Sequence, residues 1–115
     1  MPFRTKDTLE SWLEEFRQLG YELSETLRVI PHGLDEESDT GLVAAALASA
    51  PTMLYVEPSA PGSTSWQVTF EPREVPASLD APTVLKLSSE LTVLSALCVF
   101  FQAKSEALLS ALEAR

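Results

Sequence analysis

The chain has 115 residues, of which 45% are apolar and 22% charged, and it carries a net charge of −9. That length holds a single domain, 1–115, and that composition belongs to a folded protein. The acidity repels phosphate backbones and anionic lipid, so neither nucleic acid nor a membrane surface is an expected partner. One cysteine, Cys98, permits no intrachain disulfide and no cysteine-based metal cluster. Met1 to Lys6 lack the apolar core of a signal peptide, which sets the expectation of a cytoplasmic protein.

Asp7 followed by Glu10 has the spacing of a capping box, and Leu9, Trp12, Leu13, Phe16 and Leu19 then fall on one helical stripe that Gly20 ends. Glu10, Glu14, Arg17 and Gln18 occupy the opposite, solvated face. From Tyr21 to Ile30 the period shortens to two, which predicts a strand, best defined from Thr26 to Ile30 and closed by Pro31.

His32 to Thr40 reads as a loop holding Asp35, Glu36, Glu37 and Asp39. Those acids lack the Gly and distal Glu of a calcium loop, so they are expected to be solvated. Asp39 is then placed as the cap of a second helix, with Leu42, Val43, Ala46, Leu47 and Ala50 as an alanine-rich stripe before Pro51. Thr52–Glu57 and Trp66–Glu71 are the next two strands, joined through the turn-rich 58–65. Pairing Tyr55 with Val68 would gather Met53, Tyr55, Trp66, Val68 and Phe70 on one face.

Asp80 is positioned to cap the last helix and Pro82 to sit in its first turn. From Val84 the apolar positions Leu87, Leu91, Leu94, Cys98, Phe101, Leu108 and Leu112 recur at three- and four-residue steps, broken only by Ser105. Between Glu90 and Lys104 thirteen residues lack charge, short of the roughly 20 that cross a bilayer. A helix from Asp80 to Arg115 would be roughly 50 Å long, while a compact chain of this size has a radius of gyration of about 13 Å. The helix must overhang its domain, bend or find a partner.

The expected fold is therefore α+β and two-layered. A three-stranded mixed or antiparallel sheet is covered by helices in the order α-β-α-β-β-α, with a long C-terminal helix. No catalytic residue, cofactor or metal site is expected: His32 stands alone, the four glycines are scattered, and Cys98 lies on an apolar seam where a thiol behaves as a small hydrophobe. Two functional readings remain. One is a non-enzymatic, acidic interaction module, chaperone-, adaptor- or immunity-like by size and charge alone. It would form a homodimer through a seam of Leu94, Leu97, Cys98, Phe101, Leu108 and Leu112 and offer its acids to a basic protein. The other is a small-ligand-binding or regulatory domain whose pocket, between the hairpin and the last helix, is walled by Tyr55, Trp66 and Phe70.

Overall fold

Thr5 starts the first helix, α1 (Lys6–Gln18): its hydroxyl accepts a hydrogen bond from the Thr8 amide at 3.1 Å, so the cap lies two residues before Asp7. The helix buries Leu9, Trp12, Leu13 and Phe16. It stops where Gly20 takes φ +100°, a left-handed conformation that a side chain would strain, and donates its amide to the Arg17 carbonyl. Leu19 falls outside the stripe's buried part and is exposed. The computed structural model describes residues 4–21, 27–31, 41–47, 52–60, 63–72 and 76–114.

Four strands follow: β1 (Arg28–Pro31), β2 (Gly41–Ala46), β3 (Met53–Pro58) and β4 (Trp66–Phe70). They pair in sequence order as one antiparallel sheet. The expected second helix is thus strand β2, and among the described residues the sheet has four strands, with no parallel pair that a crossover would join. Leu-Val-Ala-Ala-Ala-Leu is apolar at nearly every position and satisfies either period, so pairing with β1 and β3 decides its conformation. The described part of the expected first strand begins at Leu27.

Val29, Val43, Val56 and Val68 stand opposite one another across all four strands, and this row marks the inner face. Leu27, Ala45, Leu54 and Trp66 share that face and join α1 in the core. The last two strands are offset by one residue from expectation: Val68 pairs with Val56, and Tyr55 pairs with Thr69. A one-residue slip reverses every side chain of a strand, so Leu54 and Val56 enter the core in place of Met53 and Tyr55.

The last helix, α2 (Ala81–Glu113), is continuous. Asp80 caps it as expected, accepting the Thr83 amide at 3.0 Å, with Pro82 in the first turn. The Asp80 carboxyl is held below its ordinary range, chiefly by the Thr83 side-chain hydroxyl and then by the Thr83 amide. Helix α2 lies beneath β4 and beside α1, and its Leu94, Leu97, Phe101 and Ser105 are the residues that become buried. Trp12 and Trp66 both meet the Phe101 ring edge-on, with centroids 5.8 and 4.9 Å away. The molecule measures 53 × 31 × 20 Å with a radius of gyration of 15.1 Å, beyond the about 13 Å of a compact chain.

Core and overhang are separable by substitution. Leu97→Ala, at a fully buried position, is expected to cost about 3 kcal/mol in urea unfolding. Leu85→Ala, at a position 70% exposed, should change the stability of the single chain, measured at high dilution, by less than about 0.5 kcal/mol. Similar losses at both sites would show that the two halves of α2 are equally covered.

Candidate interaction surface

Ser105, the residue that breaks the apolar repeat of α2, is completely buried. Its Oγ accepts a hydrogen bond from the Trp66 indole Nε1 at 2.9 Å and lies 3.4 Å from Nη1 of Arg4. The Arg4 guanidinium sits 5.4 Å from the Trp66 ring centroid, and its Nη1 also donates to the Ser63 carbonyl. A hydroxyl is needed here because a buried indole N–H without an acceptor is costly, and leucine offers none. This cluster fixes the C-terminal half of α2 to β4, to the β3–β4 connection and to the N-terminal segment. Sequence periodicity registers Ser105 only as a gap, and Arg4 carries no pattern that would reveal its burial.

The candidate seam is largely used within the chain. Leu94, Leu97 and Phe101 are buried in the core, while Cys98, Leu108 and Leu112 are half-buried. Burial raises the Cys98 thiol above its ordinary pKa, which keeps it protonated and unreactive at neutral pH. What α2 leaves uncovered lies nearer its start: Val84 and Leu85 are exposed, Leu87 and Leu91 half-buried, and Val99, further on, 67% exposed. Val84, Leu87, Ser88, Leu91, Thr92 and Ser95 share one open face of α2. By length and apolarity α2 is also long enough to cross a bilayer.

The residues of the candidate ligand pocket do not come together. Trp66 is buried on the inner face against Phe101 and Ser105. Phe70 shares that face but is 53% exposed on edge strand β4, while Tyr55 points to the outer face. There Tyr55 stands in a row with Arg28, Ala44 and Thr69, and its hydroxyl donates to Glu71 Oε1. That hydrogen bond, helped by partial desolvation and the Glu71 charge and opposed by Arg28, raises the phenol pKa above 10.

The acids of α1 are mostly matched. Lys6 pairs with Glu10 at 3.7 Å, Arg17 with Glu14 at 3.7 Å, and Lys104 of α2 with Glu15 at 2.9 Å. The groove between α1 and β1, with Lys6, Glu10, Glu14, Arg17 and Arg28 at its rim, therefore carries both signs of charge. His32 and the acidic run Asp35, Glu36, Glu37 and Asp39 lie outside the described residues. No protein-family model, curated protein or solved structure matches the chain.

Two measurements test these contacts. Ser105→Ala should destabilise the fold by about 2 kcal/mol in urea, since it strands the Trp66 N–H in the core; an unchanged midpoint would remove Ser105 as the anchor. The Tyr55 phenol, neutral in its hydrogen bond to Glu71, should ionise above the ordinary tyrosine range. The stability drawn from that bond is complete below pH about 10 and disappears as pH rises through the folded-state value. Ultraviolet titration of the wild type against Tyr55→Phe isolates this group, and Glu71→Ala should lower its midpoint.

Proposed function

We propose that the chain is a non-enzymatic protein–protein interaction module of the cytoplasm, acidic overall and dimeric through α2. The observation that supports this reading is the uncovered N-terminal half of that helix: Val84 and Leu85 face solvent and Leu87 and Leu91 are only half covered, on a rod as long as the molecule. Contiguous exposed apolar surface of this kind marks an interaction site. A dimer contact here draws on residues before Leu94, because Leu94, Leu97 and Phe101 are spent on the core. A basic partner, if engaged, would meet acids other than the three of α1 already held in ion pairs.

Light scattering at tens of micromolar should return twice the chain mass. Leu87→Glu should return a monomer with unchanged circular dichroism, because an isolated carboxylate in an apolar contact is strongly disfavoured. A wild-type monomer would sink the proposal.

A further inference from the structure

We infer that the open edge of β1 takes an extended peptide as a fifth strand of the sheet, one that sets an acidic side chain beside Arg28 and an apolar side chain on either side of it. The inference rests on the interaction reading, for which it names a partner class, and not on dimerisation, since it uses β1 and α1 and leaves α2 aside. Strand β1 is the first in the sheet, and its outer side has no strand beside it among the described residues. Such an edge presents main-chain N–H and C=O groups with which another strand can pair. Helix α1 packs against β1, and the groove between them runs along Leu27, Arg28 and Val29. Strand addition at an exposed edge draws affinity from the main chain and specificity from alternate side chains. Pro31 has no N–H to donate and closes the usable stretch.

Charge selects the occupant. Lys6, Arg17 and Arg28 meet Glu10 and Glu14 in this groove, an excess of one positive charge on a chain whose net charge is −9. That excess resides on Arg28. Lys6 and Arg17 are held by Glu10 and Glu14, whereas Arg28 is exposed and in no ion pair among the described residues. The two-residue period of a strand then sets the peptide's pattern. Arg28 stands on the outer face, in the row of Ala44, Tyr55 and Thr69, while Leu27 and Val29 belong to the inner face. A strand laid beside β1 alternates in the same way, so the side chain next to Arg28 points outward and its two neighbours turn inward, towards the floor of Leu13, Leu27 and Val29. Opposite charges on adjacent strands attract and like charges repel, which makes an acid between two apolar residues the complement of this edge. The opposite edge strand, β4, has no charged side chain from Trp66 to Phe70 and makes no such selection.

The test is fluorescence anisotropy with the full chain and a labelled, end-blocked peptide Ser-Thr-Val-Glu-Val-Thr-Ser, against the same peptide with Lys in place of Glu. The Glu peptide should bind saturably and about fivefold more tightly than the Lys peptide. Arg28→Glu, with folding checked by circular dichroism, should reverse that order; should that variant not fold, Arg28→Gln is expected to abolish the preference. Only every second N–H of a strand faces a given neighbour. N-methylation of alternate peptide amides should therefore abolish binding on one parity and spare it on the other. No saturable binding of the Glu peptide, equal effects of the two methylations, or a preference for Glu that survives substitution of Arg28 would each overturn the inference. Light scattering keeps it distinct from the dimeric reading: a monomer that binds the peptide loses the α2 contact and keeps the β1 edge, and a dimer that ignores the peptide loses the edge alone.

Discussion

The hydroxyl of Ser105 is the constraint on which the arrangement of this molecule depends. It satisfies the Trp66 indole and reaches the Arg4 guanidinium in a region with no access to water. In doing so it pins one end of α2, and the anchored segment from Leu94 to Ser105 is the part that faces the sheet. A 33-residue helix held by its C-terminal half has to project its N-terminal half. The exposed Val84 and Leu85 are thus a geometric result of where the polar contact sits along the rod.

The two helices divide the sheet between them. Helix α1 covers β1 and β2, α2 lies under β4, and the aromatic rings of Trp12, Phe16, Phe100, Phe101 and Trp66 fill the space where they meet. Charge follows the same division. The ion pairs of α1 and Lys104 lie over the body, whereas the projecting half of α2 has only Lys86 and Glu90. Exposed pairs of this sort contribute little to stability; their effect here is to leave polarity and apolarity at opposite ends of the molecule.

Much of this was legible in the residues. The helical stripe of α1, the cap at Asp80, the continuity of α2 and its excess length all follow from spacing, and the structure has them. The α+β class is likewise present, with four antiparallel strands where three were expected. Strand β2 was illegible because six consecutive small or apolar residues carry no periodic contrast, and conformation there is imposed by neighbouring strands. The register of β3 and β4 failed for a related reason: Met53, Leu54, Tyr55 and Val56 are all apolar, so parity could not say which pair enters the core. Ser105 was visible as an interruption, but its meaning needed Trp66 and Arg4, which are 39 and 101 residues away. Of the candidate seam, Leu94, Leu97 and Phe101 are taken up by the chain's own core, which an apolar repeat read along one helix could not separate from a surface stripe.

The meander topology has a kinetic consequence. Every described strand pairs with its neighbour in sequence, so sheet assembly joins segments close to one another along the chain, the local pattern that favours rapid folding. The contact between Arg4 and Ser105 spans 101 residues. Closing so wide a ring carries an entropic cost that grows only logarithmically with its length. In this architecture a locally paired sheet is fastened by contacts between distant segments, with Arg4–Ser105 joining Trp12–Phe101 and Glu15–Lys104 in tying α2 back to the start of the fold.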